Sequence, residues 1–196
     1  MAQVNPIEIA GKKESGTVRS FIAVDLPDDV KNKISGFYSV LKGLDVRSVR
    51  WENLHITIMF LGNINNEQLD AARSAIENIE AQKFLIELRG IGAFSLSNPR
   101  VLFINIKEGA GRLRDIYSKL AGRLSDSIHI EEREFVPHLT IARAGPAKDR
   151  AKIASIIDSY SDYEFGSFEC NAITLKASKL TSAGPFYRDL FLKELV

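Results

Sequence analysis

Apolar positions along this 196-residue chain recur with two periods, and the switches between them mark out the elements. Phe21-Ile22-Ala23-Val24 is an apolar run of strand length, and Asp25-Leu26-Pro27-Asp28-Asp29 then opens helical spacing as far as about Leu41. Trp51 to Leu61 contains a second strand, closed by Gly62-Asn63. Asn66 to Glu80 shows helical spacing through Leu69, Ala72, Ile76 and Ile79. Phe84–Leu88 and Val101–Ile106 read as strands around a turn-rich Ser95-Leu96-Ser97-Asn98-Pro99. Leu113 to Leu124 reads as a helix, Pro137 to Arg143 as a strand and Lys148 to Tyr160 as a helix. Glu164 to Ala177 and Phe186 to Leu195 are the closing strands.

Strands and helices in this order predict an α+β fold with mixed or antiparallel sheets rather than a doubly wound parallel one. Residues 1–18 are polar and read as an N-terminal extension outside the core, with a single catalytic domain over 19–196. A weak internal repeat is visible. Each half carries a strand containing His-x-Thr, followed by a polar turn and a helix, so a pseudo-two-fold pair of lobes is expected.

The repeated strands are His55-Ile56-Thr57-Ile58 and His138-Leu139-Thr140-Ile141. Residues i and i+2 of a strand share a face, so each strand presents one imidazole beside one hydroxyl and packs its aliphatic residues behind them. With three histidines and five threonines in the chain, two His-x-Thr matches arise by chance with a probability of roughly 0.002. His129, in Ser127-Ile128-His129-Ile130, has no matching threonine and reads as structural.

Two histidines suit phosphodiester chemistry. With an ordinary pKa near 6.5, one can be neutral and accept a proton from water while the other, charged, donates one to a leaving sugar oxygen. Threonine hydroxyls can donate hydrogen bonds to the non-bridging oxygens. The scheme asks for no metal and no cofactor. No zinc motif, no nucleophile elbow and no phosphate-binding glycine loop is present, and the single cysteine, Cys170, cannot form an internal disulfide.

Bulk properties sharpen this picture only a little. A net charge of +1 excludes a protein that coats nucleic acid and fits a local site for one phosphate or one RNA end. No apolar run is long enough to cross a bilayer as a helix, so no membrane partner is expected, and a cytoplasmic monomer is the default.

These motifs and their neighbours resemble the 2H phosphoesterases, and most closely the RNA 2′,3′-cyclic phosphodiesterases also known as 2′-5′ RNA ligases. The likeness runs from about Arg19 to Val196. It includes Phe21 to Pro27, Trp51 to Gly62, Phe135 to Arg143 and Ser178 to Tyr187. It implies a bilobal fold, two mostly antiparallel sheets with helices outside, and a central cleft holding both motifs. The implied reaction is hydrolysis of an RNA or nucleoside 2′,3′-cyclic phosphate to a 2′-phosphomonoester, with His55 as proton donor, His138 as proton acceptor, and Thr57 and Thr140 beside them. ATP-independent 2′-5′ ligation is implied for some relatives. The alternatives are a non-catalytic RNA-end or nucleotide-binding module, or an enzyme of the same class acting on 2′-5′ oligonucleotides or an ADP-ribose cyclic phosphate.

Three residues near the motifs carry separate expectations. Arg143 is implied as a substrate-binding group, yet strict alternation puts it on the face opposite His138, so it can serve only if the strand ends or bulges near Ala142. Tyr187 could stack a base. Phe60 shares the face of Ile56 and Ile58 and is expected in the core.

Overall fold

The computed structural model describes residues 16–130, 134–145, 149–182 and 184–196. Nine strands and four α-helices are found among them. The strands are β1 (Val18–Asp25), β2 (Val46–Ser48), β3 (His55–Ile64), β4 (Phe84–Ala93), β5 (Val101–Ile106), β6 (His138–Ala144), β7 (Glu164–Cys170), β8 (Ala172–Thr181) and β9 (Gly184–Glu194). The helices are α1 (Asp28–Phe37), α2 (Asn66–Glu77), α3 (Ala110–Leu124) and α4 (Arg150–Ser159).

All strand pairs are antiparallel, in two sheets of order β3-β1-β8-β9 and β2-β6-β5-β4-β7. Without β2, the second sheet repeats the plan of the first: a motif strand, then the strand beside it, then a pair that closes the sheet. The motif strands β3 and β6 pack against each other where the sheets meet. That junction brings the two halves of the chain to one place.

The helices form where the 3.6-residue spacing is regular and stop where it fails. Val30, Ile34 and Phe37 line one buried face of α1, which packs on β7. Asn65 caps α2: its side chain accepts from the Gln68 amide while the Gln68 side chain accepts from the Asn65 amide. Leu113, Ile116, Leu120 and Leu124 are the buried stripe of α3. Gly109 begins that helix with φ +85°, where a Cβ would meet the Leu85 carbonyl, so only glycine fits. Aliphatic residues from both sheets merge into one continuous core that includes Ile22, Ile56, Ile58, Leu139 and Ile141.

The structure adds one strand to the expected elements and divides another. The strand β2 escapes the sequence reading, because three residues are too few to show alternation. The expected strand over 164–177 is two strands in different sheets, since the chain leaves β7 at Cys170 and re-forms pairing with β1 from β8. The extension expected over 1–18 lies outside the described residues up to residue 15, and Val18 already pairs with Ile64. Lys148, the expected start of the fourth helix, is also outside the described residues.

Candidate active site

The two motif strands share one sequence of environments. From each histidine onward the side chains run half-buried, buried, half-buried, buried, buried, exposed. The two consecutive buried residues mark a bulge. Across β1 and β3 the register passes from Ala23–Thr57 to Ile22–Met59, leaving Ile58 unpaired. Across β5 and β6 it passes from Phe103–Thr140 to Leu102–Ala142, leaving Ile141 unpaired. An unpaired extra residue reverses the alternation beyond it.

This corrects the expectation for Phe60, which is 65% exposed on the face of His55 rather than buried behind it. It also answers the question of Arg143. The Ile141 bulge turns that side chain onto the face of His138 and Thr140, where it is exposed. Phe60 and Arg143 thus hold equivalent places in the two repeats.

Each histidine is held by the same device. His55 Nδ1 lies 2.7 Å from the Asn53 carbonyl, and His138 Nδ1 lies 2.7 Å from the Val136 carbonyl. A carbonyl can only accept, so Nδ1 carries the hydrogen in both rings and Nε2 is the nitrogen not bound to the backbone. His55 Nε2 is 3.0 Å from Thr57 Oγ1.

Aromatic rings complete each setting. Phe21, on the strand beside β3, lies 4.9 Å from the His55 ring, and Tyr187 meets it edge-on at 5.2 Å. Phe103, on the strand beside β6, lies 5.1 Å from the His138 ring, and Phe94 meets it edge-on at 4.9 Å. Burial lowers the pKa of both histidines below 6.5, against the Nδ1 hydrogen bonds, which raise them. The positive charge of Arg143 lowers His138 further. His55 is pushed down by Lys176 and by His138, and up by Asp25. Each histidine therefore stands within electrostatic reach of a cation, and His55 within reach of His138.

Asp25 pairs with His55 across the strands. Its carboxylate accepts from Thr174 Oγ1 at 3.1 Å and meets the buried Lys176 ammonium at 2.9 Å, while Asp189 meets that ammonium at 2.5 Å. A cavity of about 280 Å³ opens among Asp25, His55, Lys176, Tyr187 and Asp189. A larger hollow of about 530 Å³, near Glu77 to Gln82 and Val196, contains none of the motif residues. The smaller cavity reaches His55 and not His138.

The structure thus brings Thr57, Tyr187 and the aromatic rings to His55, and Thr140 and Arg143 to the face of His138. Tyr187 is half-buried, meets His55 and Phe21 edge-on, and lines the cavity beside His55. Burial raises its hydroxyl pKa, while Arg143 and Arg19 act in the opposite direction. His129 is exposed in the loop after α3. Sequence reasoning missed Phe103, Phe94 and the Asp25–Lys176–Asp189 cluster. For Asp25 a signal existed, since a carboxylate ends the apolar run Phe21 to Val24. Among the described residues no cluster of histidine, cysteine and carboxylate groups is arranged to hold a metal ion, and no helix is long and apolar enough to cross a membrane.

A paired-sheet scaffold with one His-x-Thr strand from each lobe defines a class, the two-histidine phosphoesterases. The family model described as the 2′-5′ RNA ligase superfamily matches residues 27–178, and the chain belongs to that family. Relatives named RNA 2′,3′-cyclic phosphodiesterase include one from Archaeoglobus fulgidus, 34% identical over 175 residues, covering 88% of this chain and 98% of the relative. A second, from Methanocaldococcus jannaschii, is 36% identical over 171 residues, covering 87% and 96%. Among solved structures, E. coli LigT complexed with 3′-AMP superposes with a TM-score of 0.79 at 23% identity, covering 91% of this chain and 98% of that one. TT0787 of Thermus thermophilus gives 0.75 at 24% identity, covering 90% and 97%. At those identities the structures speak to the fold.

Proposed function

We propose that this protein hydrolyses 2′,3′-cyclic phosphate ends of RNA, or the corresponding cyclic nucleotides, to 2′-phosphomonoesters. The observation that carries the reading is the equivalence of the two motif strands: each fixes its histidine through Nδ1 and carries a threonine two residues on, and the two histidines stand within electrostatic reach of each other. Membership of the family and the activity named for its relatives support the choice of substrate.

In this scheme water attacks phosphorus and gives its proton to His138 Nε2, while the bond to the 3′ oxygen breaks and that oxygen takes the proton of His55 Nε2. Thr57 and Thr140 donate to the non-bridging oxygens, and Arg143 balances their charge. The cation beside His138 favours its neutral, proton-accepting form, and Asp25 beside His55 favours a protonated donor. Burial, Lys176 and His138 work against Asp25, so the proton affinity of His55 is lowered overall. The reaction needs no metal in this scheme, and we place the protein as a monomer in the cytoplasm. With a 5′-hydroxyl in place of water as the nucleophile on the cyclic phosphate, and the 3′ oxygen again leaving, the same four groups would join ends through a 2′-5′ linkage without ATP.

The test is incubation with adenosine 2′,3′-cyclic phosphate in the presence of EDTA, with identification of the product isomer. The 2′-phosphate is expected. Formation of the 3′-phosphate, or full activity after replacing both His55 and His138 by alanine, overturns the reading.

A further inference from the structure

The short strand β2 puts a charge in an unfavourable place. In its antiparallel pairing with β6, Arg47 lies directly opposite Arg143. Directly opposed residues share a face with Cβ atoms about 4.5–5.5 Å apart, and like charges there are destabilising. Both arginines are exposed, while Ile141 and Ala142 point into the core, so the shared face is the one that carries His138 and Thr140. Among the described residues neither guanidinium meets a carboxylate or a hydrogen-bond acceptor. Asp45, two residues before Arg47, lays its carboxylate against Gly145 instead. Two exposed guanidinium groups carried by directly opposed residues are complementary to an anion with several oxygens, and the planar fork of each matches phosphate.

Their position selects which phosphate. Arg143 is three residues beyond Thr140, at most roughly 10 Å along the strand. The cyclic phosphate takes the threonines and the two Nε2 atoms in the reading above. The next phosphate on an RNA 3′ end is carried by the 5′ oxygen of the same nucleoside. We infer that Arg47 and Arg143 clamp this second phosphate, so that the enzyme distinguishes the end of a chain from a free cyclic mononucleotide. The inference rests on the proposed reaction. Arg143 serves both phosphates and Arg47 the second alone. The same chemistry would accept a phosphodiester of RNA or a 5′-phosphomonoester.

The experiment compares kcat/KM for three substrates: adenosine 2′,3′-cyclic phosphate, its 5′-phosphorylated form, and the dinucleotide ApA ending in the cyclic phosphate. The wild type, Arg47→Gln and Arg47→Lys are each assayed over a range of salt. The wild type is expected to prefer a substrate with the second phosphate by about ten- to a hundredfold, the worth of charge-assisted hydrogen bonds. Arg47→Gln should abolish that preference, and Arg47→Lys should retain part of it, as a point charge without the fork. For the dinucleotide, the slope of log kcat/KM against log salt should flatten by about 0.7 in Arg47→Gln. A preference for the dinucleotide alone assigns the site to RNA, and an equal preference for the monoester supports the clamp for either source. Equal loss on all three substrates in Arg47→Gln, or an intact preference, overturns the clamp. So does a marked fall in the melting temperature of Arg47→Gln, because removing one of two opposed charges should leave the fold as stable or more so. Turnover without preference in the wild type defeats the clamp only, whereas failure to open any of the three defeats the proposed reaction.

Discussion

Asn53 and Val136 occupy the same station in the two halves of the molecule: each, two residues ahead of a motif histidine, accepts the Nδ1 hydrogen of that ring at 2.7 Å. The two imidazoles therefore share one tautomer, with Nδ1 committed to the backbone in both. They differ in what surrounds them, and those differences can be measured.

Acidity is the first. Burial holds both histidines below 6.5 in the free enzyme. The pH profile of kcat/KM reports free-enzyme groups, so its bell should have its maximum below pH 6.5. Removing the cation with Arg143→Gln should move upward the limb that belongs to His138, besides lowering kcat/KM. A maximum well above 6.5 in the wild type contradicts the assignment of these two groups.

The four motif side chains should separate in size of effect. His55→Ala and His138→Ala should each lower kcat by about 10² to 10⁴, the range of a lost general acid or base. Thr57→Val and Thr140→Val, which keep the β-branched shape, should each cost about 10² to 10³ if the hydroxyls hold charge that develops in the transition state. A rise in KM with unchanged kcat for the threonine variants would instead assign them to ground-state binding.

Much of this arrangement is legible in the sequence. His-x-Thr twice, each backed by aliphatic residues, places an imidazole and a hydroxyl on one face by the two-residue period alone. The period fails one residue later. Nothing in Thr57-Ile58-Met59 or Thr140-Ile141-Ala142 shows that Ile58 and Ile141 stand unpaired, because a bulge is a property of the register with β1 or β5. Alternation by itself therefore puts Phe60 in the core and Arg143 across the sheet from its histidine. Likewise Asp25 and Lys176 lie far apart in the chain, and only the β1–β8 pairing sets them on one side of His55. Chemistry that depends on one strand is readable from sequence, and chemistry that depends on pairing is not.

Lys176 offers a test of that hidden part. Its ammonium is buried, while Asp25 and Asp189 are about half exposed. Lys176→Met should destabilise the fold by about 1–2 kcal/mol, below the usual cost of breaking a buried pair because water still reaches both carboxylates. It should also raise the proton affinity of His55, since a cation leaves and Asp25 stays. Thermal melting and the pH profile read the two effects separately. Asp25→Asn should move the His55 limb downward. A shift in the same direction for both variants would show that the cluster acts through packing and not through charge.

The depressed histidines also predict how stability follows pH. Between their folded values and 6.5, the unfolded chain holds more protons on these two side chains than the folded one. Their contribution is complete above 6.5 and is lost as the pH falls through the folded values. Carboxylates titrate below this window as well, so the informative quantity is the difference between wild type and a His55→Asn, His138→Asn variant, whose side chains no longer titrate. In urea or thermal melts the wild type should lose stability faster than the variant as the pH drops from 7 toward 5. Inorganic phosphate should oppose that loss, because an anion between the rings favours their charged forms, and its stabilising effect should grow as the pH falls. Parallel stability curves for the two proteins would show that the histidines titrate alike in the folded and unfolded chains, against the burial seen around both rings.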